Sequence, residues 1–409
     1  MGKQSHLPSM ESDRNLNMRI RYLCSLAELA PYADDWNDLA AGIPFRSWTW
    51  LSAWWRHYGG SDRGAAPRRS LFVGCVFDDA DRLVGVAPWY LDCSASHGRV
   101  LRILGSGEVC SDYLGVLCQN ATEEQVADAL AESLTEQSHS EGRNSQRWDL
   151  LELTGVDAED EVIGRLVADL QSRGNTIHRR PGINCWRLEL PTSWDEYLAM
   201  LSKNRRHQLR RLVRDYLDSG RAVPRRLEHA EDLPAIMELL VDLHQRRRHA
   251  LGQPGCFASP RFSAFYRDVA PALFSRGQVQ FYWIELDGKP VAAEYVLRGD
   301  GVLYVYQTGL DPDALEHSPG YLMSIAILRW AIAEGYRVVD FLRGDEPYKS
   351  HLRAQPCLSL ECRVVPHRPA AQLRHNLWLA GNNVKQWIKS GWRLVATEKH
   401  PCRSGNSSC

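Results

Sequence analysis

The sequence predicts an α/β protein with mixed, mainly antiparallel sheets flanked by helices, and three observations carry that reading. VQFYWIELD, KPVAAEYVLRG and GVLYVYQTGL read as consecutive strands separated by Asp287-Gly288 and Gly299-Asp300-Gly301. Asp-Gly between apolar runs is the strongest short-range hairpin signal. A helical pattern at 319–335 then leads into the apolar run VVDFL, the mixture of α and β that defines the class. The first half repeats the same order of helices, meander, helix and strand, which reads as a diverged internal duplication.

The chain has 409 residues, too many for one ordinary core, so two domains and a tail are expected. The boundaries read as a disordered extension at 1–17, domains at 18–182 and 183–366, and a helix with a polar tail at 367–409. Lys and Arg number 49 against 50 acids, a net charge of −1. That excludes a global pull toward DNA or membrane, so any basic site must be local. No apolar run reaches the roughly 20 residues of a spanning helix. MGKQSHLPSMESDRNLNM lacks a secretory h-region, and His6 stands where a myristoylation signal needs Ser or Thr. Eleven cysteines, without a CxxC pair, read as reduced thiols in a cytoplasmic protein. Cys357 and Cys362 lack a His partner at zinc-finger spacing, so no metal is expected.

In order, MRIRYLC (18–24) alternates as a strand, and helices are expected at 26–41 and 44–59. LFVGCVFD and RLVGVAPWYL form a hairpin around Asp78-Asp79-Ala80-Asp81. RVLRILG and DYLGVLC are short strands. Helices at 122–138 and 159–173 enclose the strand WDLLELTG, and NCWRLELP follows as another strand. A long helix is expected at 194–219, then helices at 233–250 and 260–276 before the meander. An amphipathic helix lies near 371–390.

Three stretches can carry chemistry. Ser318-Pro319-Gly320 supplies an N-cap residue, a first-turn proline and an unobstructed glycine. The exposed N–H groups and dipole of such a helix start favour an anion. In LSKNRRHQLRRLVRDYL, at about 100° per residue, Lys203, Arg206, His207, Arg210 and Arg214 share one face. Arg205 alone points to the apolar side. That face is either solvated or a dock for a polyanion, whether nucleotide, RNA or acidic glycan. VVDFLRGDEPYKSHL ends a core strand in Arg343, Asp345, Glu346, Tyr348 and Lys349, where α/β sheets often hold ligands. Lys349 and Tyr348 can steady an oxyanion, and Asp345 or Glu346 can take a proton. The bland reading is a surface turn with Arg343 paired to Asp345. Glu294, a lone carboxylate in VAAEYVL, is a further candidate unless it faces solvent. His317 beside the anion site reads as incidental.

Together these stretches resemble the CelD-type acetyltransferases of the GNAT superfamily, relatives of the FemAB-type transferases. PFRSWTWLSAWW is similar to their Phe-x-Ser-x-x-Trp-Leu-x-x-Trp segment, and LRILGSGEVCSDYLGVL to their Leu-Gly-x-Gly…Ser-Asp-Tyr stretch. SKNRRHQLRR matches their basic helix, and YVYQTGLDPDALEHSPGYLM their Tyr…Asp-Pro…Ser-Pro-Gly passage. VVDFLRGDEPYK matches Asp-Phe-Leu-x-Gly-Asp-Glu-x-Tyr-Lys. The matches run in order over 44–350.

The resemblance implies tandem GNAT-like domains, the first degenerate, and transfer of an acyl group, acetyl above all, from acyl-coenzyme A to an amine. Ser318, Gly320, Tyr321, Arg206 and Arg210 would hold the donor, and Lys349 corresponds to a functional lysine of the FemAB relatives. The loop before the helix departs from the usual Arg/Gln-x-x-Gly-x-Gly/Ala. The acceptor is expected to be a small-molecule or glycan amine of exopolysaccharide or cell-envelope synthesis. The expected mechanism is direct attack of that amine on the thioester. The alternatives are an aminoacyl-tRNA-dependent transferase, with the basic helix on RNA, and a non-catalytic accessory protein of polysaccharide assembly.

Overall fold

A computed structural model describes residues 18–60, 68–94, 97–139 and 147–381. The expected extension at 1–17, the end of the 371–390 helix and the polar tail lie outside the described residues.

The chain opens with β1 (Arg19–Leu23), α1 (Leu26–Leu29), α2 (Ala33–Leu39) and α3 (Trp48–Tyr58). A 3₁₀ turn carrying Pro31 separates α1 from α2, so the helix expected at 26–41 is two short pieces. Proline removes a backbone donor and cannot continue an α-helix unbroken. Then come β2 (Arg69–Leu71), β3 (Val73–Phe77), β4 (Leu83–Ala87), β5 (Trp89–Ser94), β6 (Gly98–Ile103) and β7 (Leu117–Cys118). α4 (Glu123–His139), β8 (Leu150–Asp157), α5 (Glu161–Ser172) and β9 (Thr176–Pro181) follow.

The second half begins with β10 (Cys185–Glu189), α6 (Trp194–Met200), α7 (Lys203–Leu212) and β11 (Ala222–Arg226). α8 (Leu233–Ala250) and α9 (Pro260–Phe274) precede β12 (Val279–Leu286), β13 (Lys289–Arg298) and β14 (Val302–Leu310). The described chain closes with α10 (Pro319–Ala333), β15 (Val338–Arg343), α11 (Pro347–His351), β16 (Gln355–Cys357), β17 (Ser359–Val365) and a helix at 369–381.

The expected α/β class with mixed, mainly antiparallel sheets is what the chain forms. Among the described residues the sheets run β1-β3-β4-β7, β2-β5-β6-β8-β17-β9 and β11-β12-β13-β14-β15-β10-β16. Among the described residues each half holds a parallel pair joined through a helix: β6 with β8 through α4, and β14 with β15 through α10. At the β12–β13 turn Asp287 and Gly288 both have positive φ (49° and 81°), the type I′ geometry that matches strand twist. β17 crosses back to lie between β8 and β9.

The helix expected at 194–219 is interrupted. Leu201 is extended (φ −78°, ψ 149°), and the Ser202 side chain accepts from Arg205 N to cap a new helix, α7. A five-residue π segment, Val213–Leu217, ends the stretch. A side-chain cap can stop one helix and start another without Gly or Pro, so the wheel drawn through 198–217 loses its register at Leu201.

One hydrophobic cluster joins the halves. Trp50 of α3 meets Phe265 of α9 edge-on at 5.0 Å and Tyr306 of β14 at 5.3 Å. Trp50 and Trp54 are buried, so the Trp-rich helix α3 belongs to the core. A second cluster lies between α10, α6, α7 and the other face of the seven-stranded sheet.

α8 lies directly on β14 at Gly309. A Cβ there would come within 2.8 Å of His244 N and of Leu243 Cβ. Gly309→Ala must therefore push α8 off the sheet, an overpacking cost of about 1–3 kcal/mol. A lower urea midpoint with unchanged m-value is the expected readout.

Candidate active site

β14 and β15 are hydrogen-bonded only over Val302–Tyr304 against Val338–Asp340. Past Tyr304 they part. On β14 the register against β13 jumps from Val296↔Val305 to Tyr295↔Gln307, which makes Tyr306 the extra residue of a β-bulge. A bulge breaks the ladder and re-aims side chains, a common device beside functional sites. β14 then leads through a 3₁₀ turn, Pro312–His317, to the start of α10.

That start differs from the sequence expectation in one respect. Ser318 stands at the N-cap position, but its backbone is left-handed (φ 54°, ψ 48°) and its side chain makes no cap bond. Side-chain capping needs an extended backbone. No acidic residue occupies the first turn, and an anion at this tip would meet the Gly320 N–H, because Pro319 has none to give. Tyr321 is half-buried; Arg205 lies close enough to offset part of the rise that burial imposes on its phenol. Arg205 thus stands on the Tyr321 side of α7, and the reset at Leu201 shifts it from the position the wheel assigned. Arg206 turns back to donate to Ala199 O and Leu201 O (3.1 and 3.2 Å). Arg210 is exposed, and Arg211 and Arg214 pair with Asp215. His317 Nδ1 lies 3.0 Å from Tyr216 Oη.

The loop after β15 is held from two sides. Arg343 does not pair with Asp345. Its Nε and Nη2 both reach Asp112 Oδ1 at 2.6 Å, and Nη2 also donates to Ser111 O at 2.8 Å. Next to it Tyr113 Oη donates to Asp340 Oδ2. Two of the sequence motifs, Ser111-Asp112-Tyr113 and Asp340–Arg343, are therefore clasped together. Asp340 is fully buried and burial pushes its carboxyl up to about 7, against the pull of Tyr113 and of Leu342 N, which donates to Oδ1 at 2.7 Å. The Asp340–Tyr113 pair lines a cleft of about 410 Å³ with Arg46, Arg187, Asp160 and Tyr304. A separate apolar groove of about 1030 Å³ between α8 and α9 touches none of the motif residues.

Lys349 is buried, and its Nζ donates to Leu342 O, Arg343 O and Gly344 O (3.1, 3.0 and 3.0 Å) while pairing with Glu346 Oε2 at 2.9 Å. An ammonium has three protons to give, so in this arrangement none is left for a substrate oxygen. Asp345 is exposed and accepts from Trp186 Nε1 at 3.0 Å. Tyr348 is 37% exposed, its ring edge-on to Phe341.

Glu294 faces inward. It is 4% exposed, its Oε2 has no hydrogen-bond partner, and burial raises its carboxyl to about 8, only partly relieved by a hydrogen bond from Thr308. Tyr348 is near enough to feel its charge. Glu294 thus lies beside Thr308, two residues past the bulge, with Tyr348 of the loop close by. Among the described residues no cluster of three His, Cys, Asp or Glu side chains is arranged to hold a metal.

This arrangement of bulge, parting strands and helix start meets a match from sequence comparison. Residues 203–350 fit a family model described as an acetyltransferase (GNAT) domain. Comparison with curated proteins finds no match. Among solved structures, FemX superposes with a TM-score of 0.58 at 11% identity, covering 83% of this chain and 98% of FemX. A conserved protein of unknown function from Bacteroides thetaiotaomicron gives 0.52 at 12% identity, covering 85% and 100%. A tandem GNAT protein from the clavulanic acid biosynthesis pathway gives 0.44 at 16%, covering 86% and 99%. The first two share the fold across both halves of this chain.

Two measurements check the site's energetics. Unfolded, Glu294 titrates near the ordinary value of 4.5; folded, near 8. The folded state therefore holds the extra proton, and this group's contribution is complete below about pH 4.5 and is lost as pH rises to about 8. Glu294→Gln should gain stability over wild type progressively across that window, read from paired melting curves. Arg343→Ala strands the buried Asp112 carboxylate and should cost about 3 kcal/mol in denaturant unfolding.

Proposed function

We infer that this chain is an N-acyltransferase that moves an acyl group, acetyl in the first instance, from acyl-coenzyme A to an amine. The observation that carries the reading is the parting of β14 and β15 beside a bulge, with a helix start directly downstream. The donor would thread that gap. Its pyrophosphate would sit at the start of α10, held by the Gly320 N–H, the helix dipole and Arg205. Ser318 and Tyr321 shape that tip, and Arg206 and Arg210 stay in the proposal as a more distant basic field. The acyl donor supplies an activated carbonyl; everything else is positioning and proton handling.

For the proton, Glu294 fits better than Asp345 or Glu346. Those two are exposed and already paired, whereas Glu294 Oε2 is buried without a partner. A carboxyl held near 8 is a stronger base, once ionised, than an ordinary glutamate. Lys349 is assigned a positioning role: it fixes the three carbonyls at which β15 turns, and so sets where Tyr348 stands. A glycan or small-molecule amine is the acceptor class, supported by the motif resemblance alone. The domains are proposed as 18–182 and 183–366, with β17 lent back to the first.

The tRNA-dependent reading rests on α7. It is weaker than the sequence implies, since Arg206, Arg211 and Arg214 are engaged within the protein. Acetyl-coenzyme A at 100 times its dissociation constant should stabilise the protein by about 2.7 kcal/mol. Turnover should rise with pH up to about 8, and Glu294→Gln should lower it by about 10²–10⁴. Absence of stabilisation by any acyl-coenzyme A would sink this reading and leave the accessory-protein one.

A further inference from the structure

The bulge in β14 turns a second set of groups toward α8. His244, 2% exposed, sits on α8 where Gly309 lets the helix touch the strand. Its Nδ1 lies 3.0 Å from Thr308 O. A carbonyl can only accept, so Nδ1 carries the ring proton. Burial and Arg248 hold the imidazole below its ordinary range, so the ring is neutral and Nε2 presents a lone pair. That lone pair faces Cys256 Sγ at 3.4 Å, and Sγ also lies 3.7 Å from Gln307 Oε1.

Cys256 is partly exposed, in the 3₁₀ turn between α8 and α9. Gly255 before it has φ 75°, a conformation that carries the turn over the strand at low cost only for glycine. The result is a thiol, a base of fixed tautomer and a backbone carbonyl that orients the base. The geometry is that of a thiol beside an oriented base. They stand at Gln307 and Thr308, where β14 has already parted from β15.

The bland alternative is that His244 only pins α8 to β14. That role needs the Nδ1–Thr308 bond alone. It does not require a partly exposed thiol on the other nitrogen. Burial pushes the Cys256 thiol up to about 12, with Arg248 pulling the other way. The resting thiol is therefore protonated, and attack needs a base in contact with it, which His244 provides.

We propose that Cys256 is an acyl-accepting nucleophile with His244 as its general base, so that the acyl group rests on this chain before reaching the amine. In the first step Sγ attacks the thioester carbonyl and His244 Nε2 takes the thiol proton. The carbon–sulfur bond of the donor breaks, and the imidazolium returns its proton to the departing thiolate. In the second step the amine attacks the Cys256 thioester. Glu294 takes the amine's proton and later yields it to solvent, the Sγ–carbonyl bond breaks, and the leaving cysteine thiolate regains a proton from solvent through His244. No oxidant or further reactant is needed. The inference rests on the reading of the donor as an acyl thioester.

The test exposes the full chain to two probes, acetyl-coenzyme A and the acetyl thioester of N-acetylcysteamine, which lacks the nucleotide. Acid-quenched samples are read by intact mass and peptide mapping. A single acyl group on the Cys256 peptide, released by neutral hydroxylamine, is expected. It should be absent in Cys256→Ala and form about 10²-fold more slowly in His244→Gln. A wild-type chain unmodified by both probes overturns the inference, as does equal labelling of Cys256→Ala. If Cys256→Ala acylates amines from acetyl-coenzyme A at the wild-type rate, the nucleophile falls while the donor reading stands. If the small thioester labels Cys256 but calorimetry finds no acetyl-coenzyme A binding, the coenzyme reading falls and the nucleophile stands.

Discussion

The interaction on which the rest depends is the clasp between Asp112-Tyr113 and Asp340–Arg343. Two bonds cross between the halves within a few residues: guanidinium to carboxylate, and phenol to carboxylate. Both carboxylates are buried, so each bond offsets a desolvation cost that neither half could bear alone. The clasp does more than hold the halves together. Leu342, between its two acidic and basic ends, has φ 54°, a conformation that costs a branched L-residue about 1–2 kcal/mol. Asp340 accepts the Leu342 N–H and Lys349 grips its carbonyl. The β14–β15 ladder ends at Asp340, two residues before this turn, so the clasp and Lys349 fix the backbone of β15 at the open end of the gap.

Around the gap, polarity is distributed unevenly. One side holds Glu294 with an unpartnered oxygen and Tyr348; the other holds Cys256 and His244. Burial sets all three away from their aqueous behaviour: the carboxyl upward, the thiol upward, the imidazole downward. Each is therefore neutral at rest, which spares the core an uncompensated charge and leaves charge to develop only when a substrate arrives.

How much of this was legible from residues varies with the range of the interaction. Asp287-Gly288 carried the β12–β13 hairpin because a type I′ turn is decided by its own two residues. The break at Leu201 is also local, yet the sequence does not mark it, because a serine cap in a run of good helix formers needs no Gly or Pro. The local pair Arg343–Asp345, open as the bland reading of the loop, does not form, since the partner of Arg343 is 231 residues away and no spacing rule reaches that far. Glu294 was identified but not oriented: Ala292 and Val296 on its side of the pleat fit a buried face or a thinly covered one equally well. His244 and Cys256 drew no notice, since their third member is a backbone carbonyl with no sequence signal.

β17 sits between β8 and β9 in the sheet of the first half, although it is made some 200 residues after β8. The register pairs Val364 with Leu151 on one side and Ile177 on the other, so this is an interior strand, not an edge. A nascent chain that has emerged only as far as β16 carries two unsatisfied strand edges within its six-stranded sheet. Such edges invite pairing with other chains, and domains otherwise tend to fold in order of synthesis. The four-stranded sheet is complete by Cys118, but the six-stranded sheet beside it closes only when the late segment arrives, and until then its two open edges depend on protection that the fold does not yet supply.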